Sequence, residues 1–299
     1  MAWSPDDMAD LVEAVSRAPS VHNSRPWELT LHGRAAVLRE NRVELLRHDP
    51  GGRDQRISCG TALTNLELAV RGLGWRAQVD LHAGSGEVSG SVTAGARAEP
   101  SSRELRWARA MPQRHSYRQR FDPTPLPERL RRVVRDATRG ARTGARWIGS
   151  DAEALSTARM LGYAARVFRA NADYSRELAG WRSPVGEELR RVSGGLHGLS
   201  AVGLAAADSD LPDDDAVAER IREEAVLLIG TRGDRPDDHV RAGQAVERAW
   251  LAATSAGLAA SVTTQPLHLG VVRVALAKRL GTPLIPQVLM RFGYPPGSV

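Results

Sequence analysis

Residues 54–79 read DQRISCGTALTNLELAVRGLGWRAQV, and residues 237–262 read DDHVRAGQAVERAWLAATSAGLAASV. With a shift of 183 (237 − 54), Asp54, Gly60, Ala62, Leu68, Ala69, Gly74, Ala77 and Val79 fall on Asp237, Gly243, Ala245, Leu251, Ala252, Gly257, Ala260 and Val262. Both stretches read as long helices, Ile57–Gly74 and His239–Gly257. In the first, Leu63, Leu66, Ala69, Val70 and Leu73 share one face. Small residues near each helix start let two backbones approach closely. The closing Gly supplies the left-handed geometry of a helix end. A shorter amphipathic helix precedes each half: Asp6–Arg17, with Met8, Leu11, Val12 and Val15 at i, i+3, i+4, i+7, and Pro127–Ala137, with Leu130, Val133, Val134 and Ala137 in the same pattern. The chain therefore reads as a duplication whose halves face each other about a pseudo-twofold axis, as the protomers of a dimer do.

Outward from these helices the remaining elements follow. Glu28–His32 and Val43–Arg47 read as strands around a polar turn at Gly33 and Arg34, and Asp49–Gly52 is a turn cluster. Ala77–His82 and Glu87–Thr93 are short strands, Ala94–Ser102 is the internal boundary, and Leu105–Met111 is a short helix. Asp151–Val192 is mainly helical, broken at Pro184-Val185-Gly186. Ser193–Asp215, rich in Gly and Asp, reads as a mobile cover or loop. Ala225–Thr231 is a continuous apolar run, hence a strand buried on both faces, and Ile285–Gly293 is a final strand. The expected domains are 1–100, a truncated first half, and 103–299, a second half with a helical cover at about 163–215.

Composition narrows the function. With 299 residues, 42% of them hydrophobic, the chain builds a large core. Cys59 is the single cysteine, which excludes an internal disulfide and a cysteine-built metal site. The first residues lack the basic and apolar regions of a signal peptide, and no apolar run reaches membrane-spanning length, so a cytoplasmic protein is expected. The net charge of +6 is carried by arginine, with Lys278 the sole lysine. Arginine suits phosphate and carboxylate recognition. No basic tract with interleaved aromatics is present, so a small anionic ligand is expected rather than nucleic acid. His239 and His268 have no carboxylate or histidine partner at metal spacing and read as structural. Cys59 reads as a buried small residue, and the glycines form no dinucleotide fingerprint.

Two loops remain. Ala18–Trp27 (APSVHNSRPW) packs several donors and acceptors into a short turn after the first helix, and Arg114–Phe121 (RHSYRQRF) is a compact basic patch closed by Asp122-Pro123. Together with Asp49–Arg53 (DPGGR), Ile57–Leu63 (ISCGTAL), Ile229–Asp234 (IGTRGD), Ala242–Arg248 (AGQAVER), Thr264–Pro266 and Arg291–Tyr294 (RFGY), they make the chain resemble the flavin-dependent nitroreductase superfamily, in its fused, two-half Acg-like branch. The resemblance covers nearly the whole chain. It implies an α+β fold of two pseudo-twofold-related halves, each with a mixed or antiparallel sheet flanked by helices, and FMN at the interface between them.

By that resemblance Arg114, His115, Ser116 and Arg118 hold the FMN phosphate, and Arg291 completes the anion site. Two guanidinium forks and a hydroxyl suit a dianion. Thr263, Thr264 and Gln265 meet the N5/O4 edge of the ring system. Pro19, Ser20, Val21, His22, Asn23 and Arg25 supply the wall that a partner protomer gives elsewhere in the family. Arg25 stands where the family usually has Gln. The first half lacks its own Arg-x-Ser-x-Arg, so one FMN per chain is expected. The implied activity passes hydride from NAD(P)H through FMN to a nitroaromatic or other small electrophile. It needs no catalytic residue and no metal. Two alternatives stand beside it: a flavin-dependent dehydrogenase or oxidase of a small metabolite, and a flavin-sequestering protein whose cover excludes nicotinamide. The expected partners are a small-molecule substrate, with no nucleic acid and no membrane. The fused halves permit a monomer with an internal pseudo-dimer, or a homodimer.

Overall fold

The computed structural model describes residues 3–41, 49–83, 88–180, 199–203, 205 and 210–297. Helix α1 (Pro5–Ser16) begins where the Asp7 N–H donates to Ser4 Oγ and the Ser4 N–H donates to the Asp7 carboxylate, with Pro5 in the first turn. Strands β1 (Trp27–His32) and β2 (Ala35–Glu40) form a hairpin. Helix α2 (Arg53–Gly72), β3 (Trp75–Ala83) and β4 (Val88–Arg97) complete an antiparallel sheet in the order β1-β2-β4-β3. The second half opens with α3 (Ser102–Ala110), α4 (Glu128–Ala137) and β5 (Thr143–Trp147). Helices α5 (Asp151–Arg169), α6 (Ala172–Gly180), α7 (Leu199–Val202) and α8 (Asp214–Glu223) precede β6 (Ala225–Thr231). Helix α9 (Pro236–Thr254), β7 (Ala259–Thr263), α10 (Gly270–Arg279) and β8 (Ile285–Gly293) follow, and the second antiparallel sheet runs β5-β6-β8-β7.

The two plans are the same: two strands, a long central helix, two strands, with the last pair entering the sheet in reversed order. Gly74 and Gly257, equivalent in the repeat, end the central helices at φ 79° and 78°, where a side chain would be strained. The helices α2 and α9 cross at Gly60 and Gly243. A Cβ on Gly60 would lie 2.0 Å from the Val240 carbonyl oxygen, and one on Gly243 1.9 Å from that of Ile57. Since 57 + 183 = 240, the contact is reciprocal, as a twofold interface requires. Around it Ile57 packs in the second half's core, with Leu227, Ile229, Val246 and Trp250. Val240 packs in the first half's core, with Leu63, Leu66 and Leu11.

Strand β6 is buried at every residue. Leu227 and Ile229 face α9, while Val226 and Leu228 face a separate cluster with Leu161, Ile221 and Leu276 of α5, α8 and α10, which is why it reads as an unbroken apolar run.

Several boundaries differ from expectation. The second strand is Ala35–Glu40, because the turn at Gly33 (φ 57°) closes the hairpin immediately, pairing His32 with Ala35. The expected Val43–Arg47 strand lies outside the described residues, as do Trp181, the break at 184–186 and the glycines at 194, 195 and 198. The expected boundary at Ala94–Ser102 shortens, because β4 continues to Arg97, which pairs with Trp75 and stacks its guanidinium 3.6 Å from that ring. Met8 and Val12 of α1 are exposed, while Leu11, Ala14 and Val15 face the core. Part of the expected loop 193–215 is helical: α7 and the start of α8, which Asp213 caps by accepting from the Ala216 N–H. No helix among the described residues is long and apolar enough to cross a membrane.

Candidate functional site

Between the halves lies a cavity of about 430 Å3. From the first half, the segment Ser16–Asn23 and one face of α2 line it: Asp54, Ile57, Ser58 and Thr61, at i, i+3, i+4 and i+7. From the second half come Arg114, His115, Ser116 and Arg118, then Val246 and Trp250 of α9, then Val262, Thr264 and Gln265, with Tyr174 and Gly203 closing it.

The 18–25 segment is strained and held. His22, Asn23 and Arg25 adopt φ of 49°, 57° and 48°, the left-handed region that L-residues avoid. The face of α2 fixes them there. The Val21 N–H donates to Ser58 Oγ at 3.0 Å, and the Thr61 hydroxyl donates to the Pro19 carbonyl at 2.6 Å. Cys59 Sγ lies 3.1 Å from the Pro26 carbonyl. Burial pushes the Cys59 thiol far up, which suits a packed donor and not a nucleophile. The Ser58 hydroxyl also donates to the Asp54 carbonyl, and the single Thr61 hydroxyl proton is shared between the Pro19 and Ser58 carbonyls, so neither hydroxyl is poised to attack a ligand.

The basic segment is placed just as firmly. Ser116 pairs with Ala260 at the edge of β7, and the Tyr117 N–H donates to the Ala260 carbonyl at 2.9 Å. Arg114 donates from Nη2 to the Arg17 carbonyl at 3.1 Å and lies 4.7 Å over the Trp250 ring. His115 directs Nδ1 to the Gln113 carbonyl at 3.0 Å.

Of the residues expected at the site, Pro19, Ser20, Val21, His22, Asn23, Arg114, His115, Ser116, Arg118, Thr264 and Gln265 are brought together on this cavity. Three are not. Arg291 is 3% exposed, and all five of its N–H groups are committed. Nη1 donates twice to Glu224, Nη2 to the Tyr117 and Gln119 carbonyls, and Nε to Ser261. It anchors the loop that carries Arg118 and has no donor left for an anion. Thr263 lies outside the lining, and its side chain packs against Gly203, where a Cβ would come within 2.9 Å of it. Arg25 is exposed, with its N–H donating to Ser20 Oγ.

A polar floor that the sequence did not reveal joins the halves. The Thr264 hydroxyl donates to Asp54 Oδ2 at 2.5 Å, His268 Nε2 lies 3.1 Å from the same oxygen, and Arg53 donates to the Thr264 and Gln287 carbonyls. Burial alone would raise the Asp54 carboxyl. His268 and Arg53, with hydrogen bonds from His268 and Thr264, instead hold it far below the usual carboxylate range. His239 is held in the same way, its Nε2 3.0 Å from Asp234 Oδ1, so each histidine pairs with a carboxylate. Neither histidine belongs to a metal-holding group, of which there is none among the described residues. The helical spacing of Asp54, Ile57, Ser58 and Thr61 was the available signal for this floor. Gln265 bonds the Tyr174 hydroxyl and both backbone polar groups of Ala205, holding those two residues together beside the cavity.

The donor set fits a flat ligand with an anionic tail. Arg114, Ser116 and Arg118 bring two guanidinium groups and a hydroxyl to the lining, and Ile57, Val246, Trp250 and Val262 offer apolar contact. The Arg114 Nε is buried without a hydrogen-bond partner, 3.7 Å from Glu247 Oε1.

The nitroreductase family model matches residues 201–294. Two Mycobacterium tuberculosis proteins that carry the name NAD(P)H nitroreductase align along nearly the full chain. Rv3131 is 29% identical, covering 94% of this chain and 83% of its own. Acg is 27% identical, covering 97% and 90%. Among solved structures, the FMN-dependent nitroreductase NfnB of Mycobacterium smegmatis, in complex with NADPH, is 20% identical over 64% of this chain and 88% of its own, with a TM-score of 0.41.

Proposed function

We propose that the chain, which is similar to the nitroreductase family and to its Acg-like members, is an FMN-dependent oxidoreductase with one flavin site. The cavity between the halves carries this reading, with Arg114, Ser116 and Arg118 in a lining that mixes polar groups with Ile57, Val246, Trp250 and Val262. These three would hold the phosphate. The strained 19–23 segment and Trp250 would flank the ring system, and Thr264 and Gln265 would meet its polar edge. When bound, FMN would supply reversible hydride acceptance, from NAD(P)H toward a small electrophile such as a nitroaromatic. The protein's own groups would bind, orient and exclude water. In this reading residues 1–100 and 103–299 would be the two halves, and a pseudo-dimer within one chain would make a second copy unnecessary for the site.

A second reading is supported by the Gln265 contacts to Tyr174 and Ala205, two residues of the expected cover. A cover that stays shut would make the protein a flavin store with no turnover. Anaerobic addition of NADPH to the purified protein separates the two. Prompt bleaching of a yellow protein is the expected result, at a flavin-to-chain ratio near one. Yellow protein that never bleaches supports storage. Colourless protein that FMN cannot reconstitute would overturn the cofactor reading, and a ratio near two the single site.

A further inference from the structure

Glu247 sits on the inner face of α9, between Val246 and Trp250, which both line the cavity. It is fully buried, and neither carboxylate oxygen has a hydrogen-bond partner. Among the described residues its one close cation is Arg114, whose Nε lies 3.7 Å from Glu247 Oε1. Charges on the neighbouring elements are turned elsewhere. Glu67 of α2 takes Arg248, Glu104 of α3 takes Arg71, Glu13 and Arg17 of α1 pair with each other, and Asp136 of α4 meets Arg135 and Arg139. His115 points its ring at the Gln113 carbonyl. Burial pushes the Glu247 carboxyl up to about 7, with Arg114 alone opposing the rise.

A guanidinium at the cavity wall is thus shared in prospect between two anions, a buried carboxylate behind it and a phosphate in front. We propose that Glu247 makes phosphate binding at this site proton-linked: its carboxylate neutralises Arg114 in the free protein and takes up one proton from solvent when a phosphate monoester claims that guanidinium. The proposal rests on reading Arg114 as the phosphate anchor. Glu247 acts through Arg114, so it is a positioning residue. A like charge brought near a buried carboxylate, and loss of its counter-ion's full attention, both favour the protonated form. By linkage, FMN affinity then falls as pH rises above about 7, by up to tenfold per pH unit. Phosphate monoesters titrate near pH 6, so above that pH the ligand contributes no such trend.

The test is calorimetric titration of FMN into the flavin-stripped full chain at about pH 8, in buffers of differing ionisation enthalpy, beside dissociation constants by flavin fluorescence from about pH 6 to 9. The expected result is an uptake approaching one proton per FMN for the wild type and none for Glu247→Gln. The variant's affinity should match the wild type near pH 6 and exceed it roughly tenfold near pH 8. Riboflavin, which lacks the phosphate, should bind without proton uptake. FMN binding without proton uptake in the wild type would overturn the proposal while leaving the cofactor reading intact, as would identical profiles for wild type and variant. If the variant does not fold, the wild-type calorimetry decides alone. A folded chain that binds no FMN at any pH removes the cofactor reading and this inference with it.

Discussion

At Gly60 and Gly243 the two halves of the chain are interchangeable, whereas one and a half turns upstream, at Asp54 and Asp237, the equivalence is only one of sequence. Asp54 is 3% exposed, and its carboxylate reaches across to Thr264 and His268 of the other half. Asp237 stays on its own helix, 3.5 Å from Arg235 and 3.7 Å from Arg241. The divergence continues along the face. Ser58 and Thr61 clamp the Pro19–Val21 backbone, while their equivalents, Arg241 and Gln244, do not line the cavity. Duplication therefore preserved what the helix crossing needs, and only one of two equivalent faces became a site. Packing constrains both copies through the same backbone contact, whereas a cavity needs its polar partners on one side only.

The crossing can be broken most severely. Gly60→Ala and Gly243→Ala each place a methyl against a carbonyl oxygen at about 2 Å, with no flexible side chain to yield. Each should cost about 3 kcal/mol or more, beyond ordinary overpacking, and the two should agree closely in denaturant unfolding. If one is tolerated and the other is not, the crossing is not the shared element described here.

The aspartates should separate by more than the glycines do. Asp54→Asn leaves Arg53 buried against an amide, and removing one partner of a buried ion pair costs roughly 3–5 kcal/mol. Asp237→Asn disturbs longer, half-screened contacts and should stay within about 0.5 kcal/mol. The pH dependence has a definite sign. The folded Asp54 carboxyl lies below its unfolded value of about 3.9. Its contribution is complete above that value and is lost as pH falls through the lower folded one. Wild type and Asp54→Asn should thus differ most near neutral pH and converge only in strong acid. Parallel curves down to low pH would remove Asp54 from its place in the floor.

These contrasts explain what could be read from the residues alone. The duplication was legible because Gly60 and Gly243 answer a local steric demand that leaves the same letter in both copies. Strand β6 was legible because both its faces are covered. The Thr143–Trp147 strand was not, since each of its residues is only half-buried and its neighbours, not its own pattern, make it a strand. At the site, the 19–23 and 114–118 segments carried local signatures. The Asp54–Thr264–His268 floor depends on partners more than 200 residues apart, which no window of sequence joins. Arg291 misled for the same reason: its charge is visible in the chain, and the five acceptors that consume it are not.

The smallest effect tests where the first half's share of the site ends. Arg114 and Arg25 are both arginines on segments that meet at the cavity, but Arg114 lines it and Arg25 does not. Arg114→Gln removes a charge-assisted contact to phosphate, worth roughly 1.5–3 kcal/mol, so FMN affinity should drop at least about tenfold. Arg25→Gln should change affinity less than about twofold, because Arg25 is exposed and is not part of the lining. Its φ of 48° makes a second substitution informative. Arg25→Gly relieves a left-handed conformation costing roughly 1–2 kcal/mol and forfeits about 0.5–1 kcal/mol of chain entropy, a net gain under about 1 kcal/mol. A small rise in thermal midpoint with unchanged flavin affinity would confine Arg25 to the outer edge of the loop. A large loss of affinity in either variant would extend the first half's wall past Asn23, and the asymmetry between the halves would then be smaller than the cavity lining indicates.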